Sequence, residues 1–291
     1  MDGSIIQTLR SVRPMSWKAF KAGIPKIQNK LNKPLFRGQG NKYLPIGCHS
    51  QCGWKLEPSL FRISGISHPS YVAWLKQILN SKVKAKIDEI IGSPLNIDNL
   101  DHRERIMALL QHMGFATPLL DWTENPFKAA YFAFKDIYPE TKEVAIFLFD
   151  QHAWKTNLNY LTSRNLRKVE LKIIEPSIPR QNVQECIYTY FRGGIDIYGQ
   201  ILADGDESEG NESFITYWYL SVDEKDKILN DLKEMGITQE SLFPDESDGR
   251  ILSLKEQIEP LYKEYCSIKN QQYKRRCQLA YDSAMGVHLN R

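Results

Sequence analysis

The sequence predicts an α+β fold, and three stretches carry that prediction. Val144-Ala145-Ile146-Phe147-Leu148-Phe149 is an unbroken apolar run of strand length, the pattern of a buried strand. Phe214 to Leu220 is aromatic and β-branched, which also fits a strand. Residues 16–32 and 223–235 instead space their apolar residues for a helix. Trp17, Phe20, Ile24 and Ile27 recur in the first, and Ile228, Leu229, Leu232 and Met235 in the second.

In chain order, Ser16 caps a basic amphipathic helix that Pro34 ends. Leu35-Phe36-Arg37-Gly38 reads as a short strand entering a Gly-rich loop, and residues 40–53 read as irregular. Pro69 or Ser70 starts a helix carrying Tyr71, Trp74, Leu75, Ile78 and Leu79. A Gly-, Pro- and Asn-rich loop follows at 92–99, and Asp101 caps a helix running to Met113. A polar cluster, Asp121-Trp122-Thr123, precedes a helix over 126–137, where Pro126 sits near the first turn and its missing N–H costs nothing. Gln184 to Phe191 is β-rich. Gly236 stops the 223–235 helix, Thr238 to Ser241 form a turn of helix, and a last helix covers 250–265 or longer. The expected organisation is a basic helical extension at 1–33, a central domain at 34–250, and a C-terminal helix with basic tail at 251–291.

Composition narrows the class. Hydrophobic residues are 42% and charged residues 25%, so the chain has the make-up of a globular protein with a core to bury. No run of 18 apolar residues occurs, so no membrane span is expected. Met1-Asp2-Gly3-Ser4 lacks the basic-then-apolar pattern of a secretory signal. Five scattered cysteines predict a reducing cytoplasm rather than a disulfide framework. Net charge is +3, but Arg10 to Lys42 holds nine Lys or Arg and no acid, and Lys269 and Lys274-Arg275-Arg276 cluster near the end. Asp204 to Glu209 is the opposing acidic run. Such basic surfaces attract a polyanion such as nucleic acid, or are solvated helix faces.

Chemistry is expected around Arg37 and Asp121. Arg37 offers a planar fork for pyrophosphate or carboxylate beside Gly38, where a ligand can approach bare backbone. The bland reading is a salt bridge from Arg37 to Asp121 or Glu57. Asp121 can equally be a helix cap and Trp122 a core residue. Gln184 and Glu185 are neighbours, so in a strand they face opposite sides, and either can bond ribose hydroxyls or lie on a plain strand edge. Cys48, His49 and Cys52 have metal-capable side chains, but a structural zinc site takes four ligands, so no metal is expected. P-loop, Rossmann and Gly-x-Ser-x-Gly signatures are missing.

Together these pieces resemble the FRG-domain family, named for the Phe-Arg-Gly that stands here as Phe36-Arg37-Gly38. Leu35 to Gln39 is followed by Trp54 to Arg62, then by Gln111 to Gly114 and Leu119 to Pro126, running to Ala133. Arg180, Gln184, Cys186 and Tyr188 follow, then Gly236 to Thr238 and Ser241 to Asp245. The resemblance spans roughly 34–250. Pro118 stands where the family usually has Arg, and Glu185-Cys186 where Gln-Gly is common.

The resemblance implies an ADP-ribosyltransferase-like split β-sandwich with NAD as substrate in its cleft, in a toxin of toxin–antitoxin or anti-phage type. It implies Arg37 at the pyrophosphate or adenosine-side ribose, Asp121 and Thr123 on the nicotinamide side, and Trp122 or Tyr131 as stacking surface. Gln184 or Glu185 would hold the nicotinamide ribose. Phe36, Gly38, Gln39 and Arg62 complete the expected cofactor-binding set, and Arg37, Gln184, Glu185 and Asp121 the expected catalytic set. The acceptor expected from the basic segments is nucleic acid, RNA before single-stranded DNA, with a protein antitoxin as partner. The alternatives are a non-catalytic nucleotide- or nucleic-acid-sensing module and an NAD glycohydrolase.

Overall fold

The structure is a computed structural model that describes residues 14–40, 56, 58–63, 66–79, 82–152, 172–174, 183–190, 215–244 and 248–284. The chain divides into two compact units: residues 1–56, 120–190 and 196–246 form the first, and 57–119, 191–195 and 247–291 the second.

The first unit is built on a sheet with strand order β4-β5-β2-β1-β3-β6. The strands are β1 (Leu35–Gln39), β2 (Leu119–Thr123), β3 (Glu143–Phe149), β4 (Lys172–Ile174), β5 (Cys186–Tyr190) and β6 (Ile215–Ser221). β1 pairs antiparallel with β2 and β3, β3 with β6, and β4 with β5. The six strands lie in one sheet, and the fold class is α+β.

Three helices supply the first unit's main core: α1 (Trp17–Lys30), α5 (Pro126–Lys135) and α6 (Lys225–Glu234). Trp17, Phe20, Ile24 and Ile27 of α1 meet Ala129, Ala133 and Phe134 of α5, Ile228 and Leu232 of α6, and Val144, Ile146 and Leu148 of β3. Because successive strand residues point to opposite faces, β3 turns Phe147 and Phe149 the other way. There Phe149 meets Trp122 and Phe147 meets Tyr217, at 5.5 and 5.4 Å between ring centroids. Both faces of β3 are thus covered, which is what its unbroken apolar run requires.

Helix α1 is part of this core. Ser16 caps it through the Ala19 amide. The Trp17 amide donates to Glu224 at 2.8 Å, and the Trp17 indole N–H donates to Asp231 at 2.7 Å. Lys21 pairs with Asp231 as well, so one of the helix's cations is engaged within the fold. A short helix, α7 (Gln239–Leu242), closes the unit with a capping box between Thr238 and Ser241.

The described part of the second unit is helical: α2 (His68–Leu79), α3 (Val83–Ile91), α4 (Leu100–His112) and the long α8 (Gly249–Ala284), with a 3-10 turn at Ser59–Arg62. Trp74 of α2 packs on Tyr262 and Tyr265 of α8, and Phe115 closes on Tyr262. Gly92 takes φ 77 to end α3.

One expected cap is corrected, and one cap that the sequence allowed is ruled out. Asn99, not Asp101, caps α4, its side chain accepting from the Asp101 and His102 amides. Asn125, not Asp121, caps α5 through the Phe127 and Lys128 amides. Among the described residues no helix is long and apolar enough to cross a membrane.

Candidate functional site

The Phe-Arg-Gly of β1 divides its labour residue by residue. Phe36 is fully buried in the core under α5. Gly38 is where α5 lies on the strand: a Cβ there would stand 1.9 Å from the Ala129 carbonyl oxygen and 2.6 Å from the Ala133 nitrogen. The bare backbone expected to face a ligand is therefore filled by a helix. Gln39 is buried too.

Arg37 is left as the chemical residue of the motif. β1 and β2 register at a single pair, Phe36 with Thr123. One residue further along, the Arg37 side chain spans the two strands. Its Nη1 donates to the Asp121 carbonyl at 2.9 Å and lies 3.6 Å from the Asp121 carboxylate. This realises the salt bridge to Asp121 weighed from the sequence; Glu57 lies outside the described residues. The Arg37 side chain is 15% exposed and that of Asp121 44%. Arg37 Nε is buried and finds no hydrogen-bond partner among the described residues. An orphaned donor on a permanently charged group carries a desolvation cost that an incoming anion would relieve.

The rest of the Asp121 block is committed to structure. Trp122 is buried, with its indole N–H donated to Thr189 at 2.8 Å. Thr123 donates to the Gln184 carbonyl at 2.9 Å and accepts from the Asn125 amide. It thereby ties the end of β2 to the turn that enters β5. In that turn the Gln184 side-chain amide donates to the Leu242 carbonyl at 2.9 Å. Glu185 takes φ 50, a left-handed conformation rare for a non-glycine residue. Its carboxylate pairs with Lys128 at 2.8 Å, and the Glu185 side chain is 44% exposed. Lys128 also donates to the Val183 carbonyl.

Lys128 was not among the residues singled out from sequence, and it holds one of the two expected ribose contacts. Its signal is position: it stands in the first turn of α5, three residues after the cap. Cys186, at the start of β5, is buried; burial pushes its thiol up, and the negative Asp121 adds to that while Arg37 opposes it. The thiol is thus an unreactive neighbour of the Arg37–Asp121 pair.

Tyr131 is nearly buried and donates to Gln239 of α7 at 3.1 Å. Arg62 belongs to the second unit. Cys48, His49, Cys52, Arg180 and the acidic run 204–209 lie outside the described residues. The structure thus joins Arg37 to Asp121 directly, and Thr123 to Gln184 through a backbone carbonyl.

Residues 32–142 match the FRG domain family. That span contains Phe36-Arg37-Gly38, Asp121 to Pro126 and Lys128; the resembling blocks after residue 180 lie beyond it. No curated protein and no solved structure matches the chain.

Proposed function

We propose that the chain is an NAD-dependent ADP-ribosyltransferase acting on nucleic acid, RNA before single-stranded DNA. One observation carries this reading: a part-buried Arg37 whose buried Nε finds no hydrogen-bond partner among the described residues, held beside a carboxylate where β1 and β2 meet at one registered pair, inside the FRG-matched segment. In this reading the sheet belongs to an ADP-ribosyltransferase-like fold, with the nucleotide seated where β1 and β2 meet.

The donor chemistry fits NAD at Arg37. A dinucleotide brings a pyrophosphate, and an Arg fork suits its oxygens. In the transfer, the bond between ribose C1′ and the nicotinamide nitrogen breaks, and its electron pair neutralises the leaving ring. The acceptor's nucleophile bonds to C1′ and loses its proton. The cationic ribose between these events needs a negative neighbour, as in glycoside hydrolysis. Glu185 is the exposed carboxylate for that role, aimed by its ion pair with Lys128; Asp121 is the carboxylate beside the pyrophosphate-binding Arg37. Such an activity needs restraint in its own cell, so a protein antitoxin and a cytoplasmic defence role belong to the proposal.

A non-catalytic sensing module is the second reading. It is favoured by the engagement of both expected ribose ligands, Gln184 with Leu242 and Glu185 with Lys128. The test is incubation with adenylate-labelled NAD and separate RNA, DNA and protein pools. Transfer of label to RNA, abolished in Arg37→Ala, supports the transferase. Intact NAD with no labelled pool refutes any enzyme here, and free nicotinamide without macromolecular label identifies a glycohydrolase.

A further inference from the structure

Helix α8 changes character along its length. Leu254 and Ile258 are fully buried in the second unit. Further on, Leu261 and Ile268 stand 37% and 44% exposed. With Trp74, Ile78 and Tyr265 they line a groove of about 400 Å³ between α2 and α8. Its aromatic wall is ordered: Trp74 and Tyr265 stack at 5.4 Å between centroids, and the Tyr265 hydroxyl shares a 2.9 Å hydrogen bond with Ser70. Beyond the groove every side chain from Gln271 to Gln278 is exposed, so no face of that stretch is packed among the described residues.

The uncovered stretch is cationic. Lys269, Lys274, Arg275 and Arg276 fall in a segment, Tyr265 to Tyr281, without Asp or Glu. A rise of about 1.5 Å per residue sets all four within about 10 Å along the axis. Successive residues about 100° apart spread Lys274, Arg275 and Arg276 around the helix. Lys269 belongs to both features: it lines the groove, and its Nζ lies 5.9 Å from the Tyr265 ring centroid. Glu264, also at the groove, repels phosphate and leaves that space to an uncharged group.

Charge and shape select the occupant. A bilayer needs an apolar face that continues, but the stripe Leu254, Ile258, Leu261, Tyr265, Ile268 runs on into Gln272 and Arg275. A second copy laid antiparallel on the exposed stretch would set its cations against their own kind. A single-stranded nucleic acid offers both a flat base for the groove and phosphates for the cations. We propose that the α2–α8 groove and the basic end of α8 bind single-stranded nucleic acid. One base enters beside Tyr265 and Ile268, and phosphates follow Lys269, Lys274, Arg275 and Arg276. This deepens the acceptor half of the proposed reaction, but binding needs no NAD, so the two readings fail independently.

The test uses the full chain without NAD and labelled oligouridine, read by fluorescence anisotropy. Four phosphate contacts, each contributing about 0.7 to the salt slope, predict an affinity loss of about 50-fold between roughly 50 and 200 mM salt. The triple variant Lys274→Glu, Arg275→Glu, Arg276→Glu lies wholly on exposed positions and should reduce that loss to about threefold. Ile268→Ser, which adds no charge, should weaken oligouridine at least about fivefold, as loss of one stacked base does, and leave an abasic oligomer of equal length unchanged. Salt-independent binding, or a triple variant that binds like the parent, overturns the proposal. So does an Ile268→Ser effect equal on oligouridine and abasic oligomer. A dimer by light scattering that Ile268→Ser dissolves, with no oligouridine bound, assigns the face to a second copy instead.

Discussion

Gly38→Ala is predicted to damage the fold without touching a ligand. The added Cβ would meet Ala129 O at 1.9 Å, Ala133 N at 2.6 Å and Ala129 C at 2.9 Å, all main-chain atoms of α5. No side-chain rotation relieves this, so helix or strand must move by at least about 1 Å. That movement drags Ala129, Ala133 and Phe134 out of register with the core that includes Trp17, Phe36 and Trp218. Overpacking costs about 1–3 kcal/mol in general, and backbone obstacles place this site at about 3 kcal/mol. With a urea slope of about 2 kcal/mol/M, the midpoint falls by about 1.5 M. The assay is urea unfolding of the first unit, followed through Trp17 and Trp218 fluorescence. Gly236→Ala is the comparison in the same unit: φ is 76 and nothing lies within 4 Å of the added Cβ, so it carries a conformational cost alone, about 1–2 kcal/mol. A Gly38→Ala protein no less stable than Gly236→Ala would refute the reasoning that the motif's glycine exists for helix packing.

Three further outcomes follow from named contacts. Asp121→Asn keeps the carbonyl that Arg37 bonds and loses only a half-exposed ion pair, so stability should change by less than about 1 kcal/mol. Arg37→Ala removes the donor itself and should cost about 1–3 kcal/mol, both read as shifts in the same urea midpoint. Asp231 accepts from Lys21 and Trp17, which holds its carboxyl below the usual range. A depressed folded value means its stabilisation is complete above the unfolded value of about 3.9 and is lost as pH falls through the folded one. Acid titration of Trp17 fluorescence should therefore show a step below about pH 4 that Asp231→Asn removes; an unchanged step places the acid sensitivity elsewhere.

The readable parts of the sequence were those whose pattern has one structural solution. The continuous apolar run at 144–149 needs a strand covered on both sides, and the helical spacing of Trp17, Phe20, Ile24 and Ile27 needs a core-facing helix. β2 was hidden because Asp121 and Thr123 look like helix-capping residues, while the capping atoms belong to Asn125, one residue before the helix. α3 was unanticipated: only nine residues long, it offers just Val83, Ile87 and Ile91 at four-residue spacing.

At the site, the Arg37–Asp121 pair was one of two salt bridges the sequence allowed. The lock of Thr123 onto the Gln184 carbonyl and of Lys128 onto Glu185 joins residues about sixty apart in the chain through a turn no local pattern announces. The role of Gly38 was read backwards. A glycine beside a functional Arg suggests ligand access, and only the placement of α5 reveals a packing constraint.

The central claim is that the Arg37–Asp121 corner holds a dinucleotide. Isothermal titration of NAD into the full chain tests it most directly, with Arg37→Gln beside the parent. Gln keeps a side-chain amide donor but loses the charge and the fork, so a pyrophosphate seat should weaken by tenfold or more, about 1.4 kcal/mol. NAD heat in the parent that collapses in Arg37→Gln, with both proteins equally folded, is the predicted result. Equal binding by the two, or no binding by the parent, would contradict it.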